Sequence, residues 1–157
     1  MVVDTLKPTA PSSCLVVPEM SSAQIDCVKQ FEALVLSCEQ VPIETQSVLH
    51  GGVYTRTVKI PAGVVIVGAL VRVPTTLTIS GDCIVLIGSV EQRITGYAVI
   101  PASANRKQVF SAVGDTMLSM SFRTDSKTVE QAEEEFTEES DRLVSRHGHH
   151  TMIVTEE

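Results

Sequence analysis

Residues 53–63 read VYTRTVKIPAG: β-branched and aromatic side chains alternate with polar ones up to Ile60, and Pro-Ala-Gly then forms a turn. No helix-length segment separates this stretch from the similar ones that follow, which argues against a parallel α/β sheet. Short strands between turn residues predict an all-β sandwich or barrel. We expect further strands over 64–73, 77–80, 83–88, 93–100, 108–113 and 116–122, with turns at Gly81-Asp82 and Gly114-Asp115.

Helical patterns flank this β region on both sides. Ser21 and Gln24 form a capping-box signature, and apolar residues at helical spacing predict a helix over 22–39. Thr128 and Gln131 form a second such signature, at the start of an acidic helix whose narrow apolar stripe predicts a surface position. We expect one globular domain, divided into an arm and helix (1–45), a β domain (46–123) and an acidic helix with a tail (124–157).

The composition excludes several classes of protein. No apolar run approaches the roughly 20 residues of a membrane helix, and the segment 1–11 lacks a signal-peptide core, which predicts a cytoplasmic protein without a membrane partner. Aromatic residues make up 4% of the chain and Trp is absent, so stacking on single-stranded nucleic acid is not expected. The four cysteines show no CxxC spacing, and we expect buried, reduced thiols.

Two stretches resemble the motifs of the cupin superfamily. Residues 60–82, with Ile60-Pro61-Ala62-Gly63 and Gly81-Asp82, resemble the first motif, and residues 96–106 resemble the second. More narrowly, residues 52–56 and 101–107 and the Asp115-Thr116 strand are similar to small cupin-like proteins of tailed bacteriophages. The resemblance implies a mainly β, double-stranded β-helix (jelly roll) with an N-terminal helix and an acidic C-terminal helix.

The chain departs from the cupin pattern at the metal-ligand positions. In register, these positions fall near Ala69, Val71 and Thr75 in the first motif and at Arg106 in the second. Two apolar side chains, a lone hydroxyl and a guanidinium cannot hold a divalent cation. We therefore expect neither a metal nor another cofactor, and the family's metal-dependent activities are not carried over.

Histidines supply the remaining candidates for chemistry. Metal-free cupin epimerases use a histidine, a carboxylate and a tyrosine, so His50 is a weak catalytic candidate beside Tyr54 and Asp115, although a structural turn histidine explains His50 as well. The tail histidines His147, His149 and His150 could bind a soft metal ion but also fit an incidental polar tail. The sequence contains no GxGxxG, P-loop, GxSxG or HExxH motif, which favours a non-enzymatic role.

Charge is unevenly distributed along the chain. Residues 1–50 carry a net charge of −4, residues 51–124 carry +4, and residues 125–157 carry −7. The acidic C-terminal helix could neutralise the basic β region, in this chain or in a neighbouring subunit. Alternatively, arginines face the cavity and bind a phosphate or carboxylate, because guanidinium suits both anions. The candidate ligand-binding residues are Arg106, Arg72, Arg56 and Tyr54.

Three classes of function follow. The first is a non-enzymatic phage protein, a virion, assembly or host-interaction module in the host cytoplasm or the virion, whose partner is another phage or host protein. The second is a binder of a small anionic ligand such as a nucleotide or sugar phosphate, and the third is a metal-independent isomerase or epimerase. We also expect a homo-oligomer, in which the arm 1–20 and the strand-like residues 151–155 exchange between subunits.

Overall fold

The computed structural model describes residues 15–155. Its first helix is capped as the sequence predicts. Helix α1 spans Ser22–Leu36, and Ser21 and Gln24 form the reciprocal capping box. The helix ends before the expected residue 39, at a C-cap on Ser37. Of its residues only Val28 is buried, so α1 lies on the surface of the β region.

Eight strands form one sheet, which confirms the mainly β prediction. The sheet order is β3-β6-β4-β7-β2-β1-β8, and β5 pairs with β4 off this path. All pairs are antiparallel except β1 with β8, which run parallel. The strands are β1 Glu44–His50, β2 Val53–Ile60, β3 Val65–Val67, β4 Thr75–Ile87, β5 Val90–Ala102, β6 Val109–Ala112, β7 Thr116–Arg123 and β8 His150–Val154.

Strand β4 holds the two halves of the curled sheet together. One edge of β4 pairs with β5 throughout, while its other edge pairs with β7 along Thr76–Ser80 and with β6 along Cys83–Val85. The predicted turn at Gly81-Asp82 is therefore wrong, because the strand continues through it with Gly81 at a φ of +144°. The hairpin turn lies instead between Ile87 and Val90.

The strand expected over 64–73 is mostly irregular. Only Val65–Val67 pairs as β3, and the segment then runs as loop, touching the sheet again through an isolated bridge between Val71 and Arg106. The turn expected at Gly114-Asp115 is present between β6 and β7. There, the Asp115 carboxylate accepts a hydrogen bond from the Ala62 N–H.

The acidic C-terminal segment folds into short helices over one end of the sheet. Helix α2 spans Val129–Phe136, a 3₁₀ turn spans Ser140–Arg142, and α3 spans Val144–His147. Thr128 caps α2, but the Gln131 side chain accepts from the Lys127 N–H, so the expected capping box is incomplete. The surface position and the apolar stripe predicted for α2 are confirmed: Val129, Ala132 and Phe136 are buried, together with Glu133, whereas the opposite face of the helix is exposed.

The main core lies between the curled sheet and α2. Tyr54, Phe122 and Phe136 pack in its centre with ring centroids 5.4–6.1 Å apart. A smaller cluster of Met20, Val28 and Val109 holds α1 against β6. Within residues 15–155 no helix is long and apolar enough to cross a membrane.

Some sequence predictions fall partly outside this description. The N-terminal arm before Leu15, together with Cys14, lies outside the described residues. Of the other cysteines, Cys83 is buried as expected, whereas Cys27 and Cys38 are exposed on and after α1. Burial of these two thiols was therefore predicted wrongly, because α1 turns its cysteine-bearing face to solvent.

Candidate ligand cavity

A cavity of ≈ 170 Å³ lies inside the curl of the sheet. The period of two along each strand creates it, because alternate residues of β2 and β7 point inward. Val58 of β2 and Leu118 and Met120 of β7 line it in this way. Phe136 and Leu143 from the C-terminal segment also line it, and the walls are predominantly apolar.

Arg106 lies in the wall of this cavity and is 2% exposed. Its Nη1 donates to the carbonyl oxygens of Val73 (3.4 Å) and Ser103, and its Nη2 donates to the Thr75 hydroxyl (2.5 Å). Burial lowers the pKa of Arg106 to about 10, so the guanidinium is still charged at neutral pH. Within residues 15–155 no carboxylate lies within 4.0 Å of it.

Gln108 also lines the cavity and is 5% exposed. Its side-chain Nε2 is buried and has no hydrogen-bond partner among the described residues. More than 90% of buried polar groups in folded proteins are hydrogen-bonded, so such a group calls for a specific explanation. The Nε2 of Gln108 is thus a polar atom of the cavity wall without a partner among residues 15–155.

A cluster of charges forms the rim of the cavity between α1 and the 3₁₀ turn. The Lys107 ammonium, which is fully buried, lies 3.1 Å from Glu32 and 2.9 Å from Glu139. Arg142 lies 3.6 Å from Glu32 and 3.8 Å from Glu139. Two cations therefore meet two carboxylates, and the rim neutralises itself.

The opposite side of the cavity carries a second compensated group. Glu133 is 1% exposed and accepts from Arg56 Nη1 (3.1 Å), Arg146 Nε (2.7 Å) and the Ser145 hydroxyl (2.8 Å). Arg56 lines the cavity, as the sequence predicted. Its charge is nevertheless paired with the buried carboxylate of Glu133. This pairing explains how α2 can place a glutamate in the core.

Two of the four predicted ligand-binding residues lie away from the cavity wall. Arg72 is on the surface, where it donates to the Glu134 and Glu135 carbonyls at the end of α2 and pairs with Glu138. Tyr54 is fully buried behind the wall, with its hydroxyl 3.0 Å from Ser47. Burial raises the pKa of the Tyr54 hydroxyl, which suits a packed core residue. The structure therefore brings together only Arg56 and Arg106.

The proposed catalytic grouping of His50, Tyr54 and Asp115 is not assembled. His50 pairs with Val53 at one end of β2, and Asp115 precedes Thr116, which pairs with Ile60 at the other end. Seven residue steps of about 3.3 Å separate the two ends, so a single substrate atom cannot contact both side chains. His50 is exposed, and its Nδ1 lies 2.5 Å from the Thr155 hydroxyl.

The residues that the motif register aligns with cupin metal ligands do lie close together. Ala69, Val71 and Arg106 line the same cavity, and Thr75 binds the Arg106 guanidinium. The tail histidines are separate: His147 Nε2 lies 2.8 Å from the Asp141 carbonyl, and His150 Nε2 lies 2.8 Å from the Ser47 hydroxyl. Burial lowers the pKa of His150, which favours its neutral form. Within residues 15–155 no group of three or more His, Cys, Asp or Glu side chains could hold a metal ion.

Sequence reasoning missed Gln108, Glu133 and the role of Lys107 at the rim. Gln108 follows Arg106 by two residues, so the extended-chain period would have placed both on one face. Glu133 is one of several glutamates in an acidic stretch, and only the docking of α2 separates it from its exposed neighbours. Nothing local in the sequence marks it.

Comparisons with known proteins concern the fold alone. No protein-family model matches the sequence. No curated protein matches it significantly. Similar solved structures include a cupin superfamily protein from Desulfitobacterium hafniense, which is 10% identical, with 59% of this chain and 87% of that chain covered and a TM-score of 0.45.

Two enzymes are among the other structural neighbours. Ectoine synthase from P. lautus is 14% identical, with 63% of this chain and 76% of that chain covered and a TM-score of 0.45. KdgF from Halomonas sp. is 16% identical, with 57% of this chain and 87% of that chain covered and a TM-score of 0.45. At these identities and TM-scores the neighbours carry no activity to this chain. Cupin-superfamily proteins are thus its structural neighbours, and the resemblance to bacteriophage proteins stays a prediction.

Proposed function

We propose that this protein is a small-molecule-binding module whose ligand occupies the cavity inside the sheet. The observation that carries this proposal is the Gln108 amide, buried in an apolar wall with an Nε2 that has no partner among residues 15–155. An unsatisfied buried polar group costs about 1–3 kcal/mol, which a ligand that hydrogen-bonds to the amide would recover. A few polar groups in a mostly apolar concavity are typical of ligand sites.

The size of the cavity sets the size of the ligand. A volume of ≈ 170 Å³ is close to that of engineered apolar cavities of about 150 Å³ that bind benzene. The ligand is therefore a molecule with about one ring, or a short branched chain, inside the protein.

The proposal is tested by filling the cavity. Thermal unfolding is measured with a panel of benzene, benzyl alcohol, benzamide and benzoate, and we expect at least one of them to raise Tm. In Ala69→Leu, the added side chain occupies the cavity and should abolish this rise. Ala23→Leu, on the exposed surface of α1, is the matched control and should retain it. A flat panel, or an equal rise in Ala69→Leu, contradicts the proposal.

A second candidate function, as a non-enzymatic interaction module, is favoured by the outer edge of β5. Among residues 15–155, β5 pairs with β4 and, at Ala102 only, with Val17. Its exposed side chains include Val90, Tyr97 and Val99. An unpaired strand edge with apolar side chains is a surface for strand addition. A virion, assembly or host-interaction role would use this edge.

The third class, a metal-independent epimerase, loses its geometric basis because His50 and Asp115 lie at opposite ends of β2.

A further inference from the structure

We infer that the cavity takes a small monocarboxylic acid with an apolar body, whose carboxylate is bound by Arg106 and Gln108. This inference rests on the proposed function and specifies the ligand class. It depends on three features of the described chain: an uncompensated buried cation, an unpartnered amide in the wall of the same cavity, and a mostly apolar lining.

The cations of the cavity wall differ in their compensation. Three cationic side chains line the cavity, namely Arg56, Arg106 and Arg142. Arg56 is paired with Glu133, and Arg142 lies near Glu32 and Glu139. Arg106 alone is bonded only to neutral oxygens within residues 15–155. Those oxygens hold the guanidinium in place, but they leave its charge without a counter-ion.

Arg106 also has donors to spare. A guanidinium carries five N–H groups. The three hydrogen bonds of Arg106 come from Nη1 and Nη2 and go to Val73, Ser103 and Thr75. Its Nε–H and one further N–H make no hydrogen bond to residues 15–155, and the side chain forms part of the cavity wall. Arginine in this state is suited to a planar anion with two acceptor oxygens.

Gln108 completes a site for the second oxygen. It lies two residues after Arg106, and both side chains line the same cavity. The Gln108 amide can present either its N–H or its carbonyl by a half-turn, whereas Arg106 can only donate. A group that accepts from both suits the pair, and a carboxylate does so with one negative charge against one positive charge.

The remaining wall argues against the more polar anions. A nucleotide or a sugar phosphate brings several hydroxyl groups and a phosphate of nearly two charges. The lining is mostly apolar and includes Val58, Ala69, Val71, Phe110 and Met120. Its other charged side chains are already paired with carboxylates or cations of the protein. Hydroxyl groups would therefore be buried largely without partners, which is unfavourable. An apolar ring or branched chain is buried there at no such cost.

Isothermal titration at pH 7 with benzoate, benzamide, benzyl alcohol and AMP tests the ligand class. We expect benzoate to bind at least about tenfold more tightly than benzamide, because hydrogen bonds to a charged partner are stronger than those to a neutral one. Gln108→Leu keeps the volume and removes the amide, so the preference for benzoate over benzamide should fall severalfold. Gln92→Leu, at an exposed site on β5, is the matched control and should bind as the parent does.

The outcomes separate the ligand class from the proposed function. If benzamide or benzyl alcohol binds as tightly as benzoate, or AMP binds more tightly, the monocarboxylate class is overturned while the cavity remains a binding site. If Gln108→Leu keeps the full preference for benzoate, the assigned carboxylate site is wrong. If none of the compounds binds, the proposed function itself fails. Arg106→Met is a second variant, and Gln108→Leu keeps the test decisive even if Arg106→Met does not fold.

Discussion

Gly81 lies in the middle of β4 at a φ of +144°, a backbone conformation that residues other than glycine rarely adopt. A Cβ at this position would lie 2.4 Å from the Asp115 carbonyl oxygen and 2.7 Å from Thr116 Cα. Both are backbone atoms, one in the β6–β7 connection and one in the first residue of β7, so they cannot move without displacing β7. Because Gly81 has no side chain, β4 can lie close to the backbone of Asp115 and Thr116.

We expect Gly81→Ala to lower the free energy of unfolding by more than about 3 kcal/mol, since backbone strain and overpacking each cost about 1–3 kcal/mol. Its partner across the hairpin, Gly96, has a φ of +85° but open space around the missing Cβ. Gly96→Ala should therefore cost only about 1–2 kcal/mol. Urea unfolding of both variants measures the difference, and equal losses would show that the close contact at Gly81 is unimportant.

Gly81 also shows why the sequence predicts the β region but misplaces one turn. Glycine followed by aspartate is a common turn signal, and the same pair of residue types at Gly114-Asp115 does form one. At Gly81 the conformational freedom of glycine is used inside a continuous strand, because the strand passes close to another part of the backbone. Such a contact joins residues more than thirty positions apart, so no local pattern reveals it.

Among the elements, the acidic C-terminal segment changes most between prediction and structure. The sequence allowed either neutralisation of the β region or arginines directed at a ligand. The structure shows the neutralisation, since Arg56, Arg72 and Lys107 pair with Glu133, Glu138 and Glu139. Arg106 pairs with none of the described carboxylates, and a ligand for it stays a prediction. The register of the cupin motif predicted Arg106 at the cavity. The burial of Glu133 was missed, because it depends on partners from β2 and α3 that bind this carboxylate.

Glu139 links the C-terminal segment to the cavity rim, and we expect its charge to make the fold sensitive to acid. Burial alone would raise the pKa of Glu139, but the Leu70 N–H and Lys107 outweigh it and hold the pKa below its ordinary value of 4.5. A carboxylate with a lowered pKa stabilises the fold above its unfolded pKa, and this contribution is lost as pH falls through the folded value. Stability should therefore decline below about pH 4.5.

Glu139→Gln removes this contribution, so the variant should be less stable at pH 7, by about 1.5–3 kcal/mol, and should lose less stability between pH 5 and pH 3. Glu138→Gln is the neighbouring control, because Glu138 is 82% exposed and its pair with Arg72 should contribute about 0–1 kcal/mol. Chemical denaturation at several pH values measures both variants. A Glu139→Gln profile parallel to that of the parent would contradict the assigned role.

In the whole molecule, the inner face of the sheet and its outer edge at β5 differ in what they contact. The inner face encloses the cavity, whereas the outer edge of β5 is unpaired along most of its length within the described chain. The Val17 N–H donates to the Pro101 carbonyl, and the Val17 carbonyl accepts from the Ser103 N–H. The Pro101 carbonyl and the Ser103 N–H therefore point away from β4. The period of two gives Val99 the same orientation, and its side chain is 53% exposed.

We expect a second copy of the chain to pair with this edge and form a dimer with a mass near twice 16.9 kDa by light scattering at micromolar concentration. Val99→Pro removes an outward-facing N–H without removing a bond to β4, so it should yield the monomer mass and retain the hairpin. Val99→Thr keeps the N–H and should remain dimeric. A parent protein of monomer mass would show that β5 does not mediate self-association, and a dimeric Val99→Pro would place the interface elsewhere.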